Sequence, residues 1–113
     1  KIASIYLKNL KNSGLVLPKE NNKCFNVYNT FTIYHKKRKF IINYLKKNKI
    51  QTRIIYPYPI HKMKAYEKIK RFGALNNTEK FSKGIFCIPL YPDLKLKDAL
   101  KVCKHLNNCM KNT

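Results

Sequence analysis

Two prolines at alternate positions, Pro57 and Pro59 in the string Tyr-Pro-Tyr-Pro-Ile-His, limit the folds open to this chain more than any other feature. Each ring fixes φ and removes an amide donor, and each biases the preceding residue toward extended geometry. A helix is forbidden across residues 56–61, so the string must follow an extended path. It separates a first run of alternating elements from a second.

In the first run, Ile2, Ile5, Tyr6 and Leu10 recur at helical spacing, which predicts a helix over 2–11. Asn12, Ser13 and Gly14 break it. Leu15 to Leu17 form a short apolar run ending at Pro18, and 19–24 read as a polar loop. Phe25, Val27, Phe31 and Ile33, with Thr30 and Thr32 between them, predict a strand over 25–34. Phe40, Ile41, Tyr44 and Leu45 predict an amphipathic helix over 36–47, with Asn48 as its left-handed stop. Residues 50–56, rich in β-branched side chains, predict a second strand.

In the second run a short helix is expected over 62–70 and another over 78–84. Asn76 or Asn77 would cap the latter, with Glu79 serving its first turn. Phe86 to Leu90 predict a third strand, and Pro92 and Asp93 turn the chain. Leu96, Ala99, Leu100, Cys103 and Leu106 stripe a final helix over 95–108. The order is helix, strand, helix, strand, short helices, strand, helix: an α/β layer fold with helices packed on a small sheet, whose strand order periodicity alone does not settle. At 113 residues the chain suits one compact domain. It opens on Lys1 rather than Met, so it is expected to be a processed product, a gene fragment or an excised domain.

The formal net charge of +20 points by itself to nucleic acid or an anionic membrane surface. Against that, the 25 basic residues include only three arginines, Arg38, Arg53 and Arg71. Base and phosphate readers favour the arginine fork. Lysine, asparagine and isoleucine, all abundant here, share AT-rich codons, so the excess also fits genome composition on a solvated surface. No stretch reaches the ~20 apolar residues of a bilayer span. The four cysteines, Cys24, Cys87, Cys103 and Cys109, form no CxxC pair, so a zinc site is not indicated and reduced thiols of a cytoplasmic protein are expected. Nucleophile–base pairs and a phosphate-cradling glycine loop are likewise missing from the sequence.

Three blocks carry a resemblance: the opening IASIYLKNL, the long VYNTFTIYHKKRKFIINYLKKNKIQTRIIYPYPIH, and NNTEKFSKGIFCIPLYPDL. In this order and spacing the chain, from Ile2 to about Leu106, resembles the C-terminal domain of the DegT/DnrJ/StrS family of sugar aminotransferases. The resemblance implies a fold-type-I enzyme that uses pyridoxal phosphate and acts as a homodimer, and for this part of it an α+β-like small domain with helices packed on a small, mostly antiparallel sheet. Such an enzyme transfers an amino group, usually from glutamate, to a nucleoside-diphosphate keto-sugar. It also implies that residues 1–14 are a helix linking two domains and that 15–113 are the small C-terminal domain. The cofactor lysine and the aspartate that faces the pyridinium nitrogen belong to the family's large domain, and no matching segment lies in this sequence. The chain by itself is therefore expected to bind no cofactor and to hold no catalytic residue.

By the same resemblance Arg53 and Tyr56 fall at a string near the substrate mouth, where a guanidinium fork and a phenol can both donate to phosphate oxygens. His61 matches a histidine that would line the pocket. Each has a plainer alternative: a strand arginine on a solvated face, a packed tyrosine, and a histidine that orders its own loop. Ile55 departs from the family's histidine before Tyr-Pro and cannot hydrogen-bond a phosphate or sugar, which leaves the substrate class open. Asn29 is expected in a strand facing the domain interface, and His35 and His105 on the surface. Pro89, Tyr91 and Pro92 match a late strand-exit string of geometric importance. The rival functions are a basic nucleic-acid-binding module and a nonfunctional gene remnant. An unpartnered apolar patch is expected at Ile2, Ile5, Tyr6 and Leu10, with Tyr56 and Tyr58 near the mouth.

Overall fold

Two four-residue strands, β1 (Phe31–Tyr34) and β2 (Ile85–Ile88), pair antiparallel at the centre of the molecule, with Phe31 opposite Ile88 and Ile33 opposite Phe86. In this computed structural model residues 1–71 and 73–113 are described. Single bridges extend the pair on both sides. Val16 joins Tyr34 along one edge, and Arg53 joins Cys87 along the other. The result is the small antiparallel sheet foreseen from sequence, with fewer regular strands.

Around it stand α1 (Ile2–Leu10), α2 (Arg38–Lys47), α3 (Asn76–Ser82) and α4 (Leu96–Lys111). Both α1 and α2 pack against α4. Tyr6 and Leu10 of α1, Ile41 and Leu45 of α2, and Leu106 and Cys109 of α4 meet Phe31, Ile33 and Phe86 in one core, all of them wholly buried or nearly so. The Tyr6 ring tilts against Phe31 at 5.1 Å, and its hydroxyl donates to the Pro89 carbonyl at 2.5 Å. That bond ties the exit of β2 to α1 and gives the Pro89–Pro92 string its fixed course. Gly84 permits the turn into β2. A Cβ there would run into the Tyr34 ring and lie 2.8 Å from the His35 carbonyl.

The end of α2 is a Schellman turn. Ile50 N–H reaches the Leu45 carbonyl, Lys49 N–H reaches Lys46, and Leu45 and Ile50 are both buried. Arg38, at the other end of α2, donates to the carbonyls of Ser82 and Ile85 at 2.8 and 3.0 Å, fastening α3 and β2 to α2.

Several expectations are corrected. The strand foreseen over 25–34 begins at Phe31; Phe25 is 88% exposed, and Asn29 lies outside the strand in the preceding bend. The strand foreseen over 50–56 is an extended segment with one bridge, because β2 offers it only Cys87. The left-handed residue after α2 is Lys49 (φ 60°), not Asn48 (φ −93°). The short helix over 62–70 is two single 3₁₀ turns, Ile60–Lys62 and Lys64–Tyr66. Asn76 and Asn77 are inside α3 rather than capping it. On α4 the buried face is Ala99, Val102, Cys103, Leu106 and Cys109, while Leu96 and Leu100 are exposed. The apolar patch foreseen on α1 is core: Tyr6 and Leu10 are buried, and Ile2 and Ile5 pack against them. Cys87, Cys103 and Cys109 are buried free thiols, whereas Cys24 is exposed. His35 and His105 are half-buried rather than surface residues.

Candidate functional site

The extended segment after α2 enters the site as an edge of the sheet. Arg53 exchanges both backbone hydrogen bonds with Cys87, at 3.1 and 2.7 Å, which fixes its position. With side chains alternating along an extended backbone, Arg53 and Ile55 fall on the same side. Both line an open groove of about 560 Å³ between this edge, the β2 exit and the first turns of α4. Ile88, Leu94 and Val102 give the groove an apolar floor. Lys49 and Lys101 join Arg53 as cations, against the single carboxylate of Asp98, and Tyr91 adds a phenol. Across the sheet, Thr32 Oγ1 and Cys87 Sγ are 3.2 Å apart. A groove of this size with an apolar floor and a cationic rim can seat a small anionic ligand with an apolar body.

The three residues singled out from sequence are not brought together. Arg53 is exposed in the groove. Tyr56 lies beyond it on the proline span and is 75% exposed. His61 is not among the groove's lining residues and contacts α3 instead: its side chain is 7% exposed, and its Nε2 stands 2.9 Å from Glu79 Oε1. Glu79 lies in the first turn of α3, as expected from sequence, and its carboxylate also engages side chains outside the helix. The same oxygen is 3.6 Å from Lys62 Nζ and 3.8 Å from Arg71 Nη1. The His61 hydrogen bond, aided by the charge of Lys62, holds the Glu79 carboxyl below its ordinary range, against a smaller opposing effect of desolvation.

Sequence reasoning did not single out Lys49 and Lys101, and it placed Glu79 in the first turn of its helix without a partner. Nothing local distinguishes those two lysines from the many others, and Glu79 meets a histidine 18 residues away. Ile55, the departure from the expected histidine, lines the groove beside Arg53, so the substitution falls where a ligand would be felt.

Pyridoxal phosphate held as a Schiff base requires an enclosed lysine. Every lysine of this chain is exposed, and the buried set of described residues contains no polar or charged side chain. The residues present do not fit the cofactor, whose aldehyde would meet only solvated amines. Among the described residues no three His, Cys, Asp or Glu side chains cluster as metal ligands, and no helix is long and apolar enough to cross a membrane.

Known proteins share both sequence and shape with this chain. It is 29% identical over 106 residues to the "dTDP-3-amino-3,6-dideoxy-alpha-D-galactopyranose transaminase" of Aneurinibacillus thermoaerophilus, a match that covers 94% of this chain and 29% of the relative. It is 33% identical over 83 residues to the "dTDP-3-amino-3,4,6-trideoxy-alpha-D-glucose transaminase" of Micromonospora megalomicea, covering 72% of this chain and 22% of that one. The crystal structure of S. venezuelae DesV, in complex with a ketimine intermediate, superposes with a TM-score of 0.92 at 26% identity, over 99% of this chain and 31% of DesV. The chain thus spans less than a third of the length of these relatives. The profile of one family runs over residues 1–107, and on that match, with the shared fold beside it, the chain belongs to the DegT/DnrJ/EryC1/StrS aminotransferase family.

Proposed function

We propose that this chain is the C-terminal small-domain part of a pyridoxal-phosphate-dependent aminotransferase that acts on a nucleoside-diphosphate keto-sugar, with glutamate as amino donor. The observation that carries the reading is the family match across residues 1–107 together with the fit to DesV over nearly the whole chain. In this reading residues 1–14 link to a large domain that supplies the cofactor lysine. The parent enzyme is a cytoplasmic homodimer. The cofactor, when bound by that other domain, carries the amino group between donor and acceptor.

The role of this chain is to bind and orient substrate. Arg53 offers a fork of N–H donors at the groove, where a diphosphate can be held in bidentate fashion. Tyr56 offers a hydroxyl from the exposed proline span. His61 has its Nε2 engaged by Glu79, so it acts by fixing the end of that span. The surface supports docking on a larger body. The accessible area is 8971 Å² for 13.4 kDa, against about 6500 Å² for a typical monomer of that mass.

The test is to fuse the chain to the large domain of the Aneurinibacillus relative and assay amino transfer from glutamate to that relative's keto-sugar. Transfer is expected, and Arg53→Ala should raise KM about tenfold with a smaller change in kcat, the signature of lost ground-state binding. A folded, cofactor-loaded fusion with no transfer, beside an active intact relative, would refute the reading.

A further inference from the structure

Three basic side chains, one at the end of the proline span and two from the segment after it, converge on one carboxylate. His61 comes from the first 3₁₀ turn, Lys62 ends that turn, and Arg71 lies nine residues on; all three reach Oε1 of Glu79, at 2.9, 3.6 and 3.8 Å. Glu79 is one of only five acidic residues in the chain, and these three contacts all fall on a single one of its oxygens. The segment needs such a hold. Tyr56, Tyr58, Ile60 and Ile69 are all more than half exposed, so apolar burial does little to fix its course.

We propose that Glu79 is a positioning residue, an ionic latch on α3 that holds the end of the Tyr56–His61 span in place. Calling that span substrate-facing rests on the aminotransferase reading; the latch itself does not. Through Lys62 N–H to the Pro59 carbonyl (3.0 Å) and Met63 N–H to Ile60 (3.1 Å), the latched turn is continuous with the prolines that direct Tyr56 and Tyr58. Besides the three partners, the charged and titratable groups around Glu79 are Tyr34, Lys36, Lys80 and Lys83, which share a shallow hollow with it. All the charged neighbours favour the ionised carboxylate.

The sign of the pH dependence follows. Glu79 is held below its ordinary value, so the latch is fully formed above the unfolded carboxylate range. It opens as pH falls through the lowered folded value. Screening opens it too, because the partners are partly exposed, Lys62 and Arg71 at about half.

The experiment is amide exchange by NMR on the 113-residue chain, read as protection factors for Lys62, Met63 and Tyr66, with Val102 and Leu106 of α4 as controls. In Glu79→Gln at neutral pH, protection at the first three should drop at least threefold while the controls hold. Wild type in 1 M salt should show the same selective drop. Wild type titrated with acid should lose it with a midpoint below the ordinary carboxylate range. Unchanged protection in the variant and in salt would overturn the latch. Should Glu79→Gln unfold throughout, seen as loss at the controls, the wild-type salt and acid arms decide alone. The readout needs neither cofactor nor substrate, so failure of the latch and failure of the aminotransferase reading are told apart.

Discussion

The packed half of this molecule and its two long excursions have similar apolar content but opposite fates. In the packed half, α1, α2, α4 and the two strands bury Tyr6, Phe31, Ile41, Phe86 and Leu106 to nothing. Across 19–29 and 55–71, Phe25, Val27, Tyr58 and Ile60 stand mostly in solvent. The radius of gyration is 15.7 Å, above the about 13 Å of a compact domain of this length. Apolar side chains do not fix a segment by themselves; they need a facing surface. The core residues find α4. Among the described residues Phe25, Val27, Tyr58 and Ile60 find none, although Tyr28 stacks on Phe31, and polar contacts such as the Glu79 latch and Asn26 to Tyr28 N–H set the course of these segments.

The largest expected effect breaks the comparison from the packed side. Phe31 is wholly buried, with Tyr6 at 5.1 Å and Tyr28 at 5.6 Å between ring centres. Phe31→Ala leaves a cavity that α1 and β2 cannot close, since Tyr6 is anchored to Pro89. The expected loss is about 3–5 kcal/mol, read by urea unfolding. A loss below about 1 kcal/mol would mean that the sheet–helix contact is not the centre of stability.

These fates also explain what could be read in advance. The two strongly periodic helices, α2 and α4, were legible because their apolar stripes repeat over several turns. The phase of α4 was legible in part: Ala99, Cys103 and Leu106 are buried as expected, but the covered face is centred nearer Val102 and Cys103, which leaves Leu96 and Leu100 outside. Alternation over 25–34 suggested a long strand, but a strand extends only as far as its partner, and β2 pairs with four residues. Arg53 was legible from its motif. Lys49 and Lys101 were not, in a chain where lysine occurs in nearly every segment. The His61–Glu79 pair spans 18 positions and leaves no periodic trace.

A second, smaller effect sharpens the comparison through pH. Burial pushes the Cys103 thiol up to about 11 and raises Cys109 and Tyr6 as well. An acid group raised by folding favours the native state while it stays neutral. Its contribution is complete below the unfolded value near 9 and is lost as pH climbs through the folded value. Stability should therefore fall by roughly 2 kcal/mol between about pH 9 and pH 11 from Cys103. Thermal melts across that range check it, and Cys103→Ala should flatten the slope. Iodoacetamide at neutral pH should modify the exposed Cys24 at once and the three buried thiols only on unfolding. Equal labelling of all four would show that the packed half opens as readily as the excursions.

The smallest expected effect lies in the excursion at Phe25. Its ring is 88% exposed and belongs to no core cluster, so removing it opens no cavity and strips no buried contact. Around it the backbone is set by polar groups: Cys24 N–H bonds the Asn21 carbonyl at 2.9 Å, and Asn26 N–H bonds the Glu20 carboxylate at 3.0 Å. None of these needs the phenyl ring. Phe25→Ser should accordingly change the unfolding free energy of the 113-residue chain by no more than about 0.5 kcal/mol, the range of ordinary surface substitutions. It should also raise solubility, because a single exposed aromatic is lost from a segment that already carries Val27 in solvent. The measurement is the urea midpoint and slope beside those of Phe31→Ala, a ring six positions on. If Phe25→Ser costs as much as a core truncation, the ring packs somewhere in solution. The division between a covered half and an uncovered one would then have to be redrawn at the 19–29 loop.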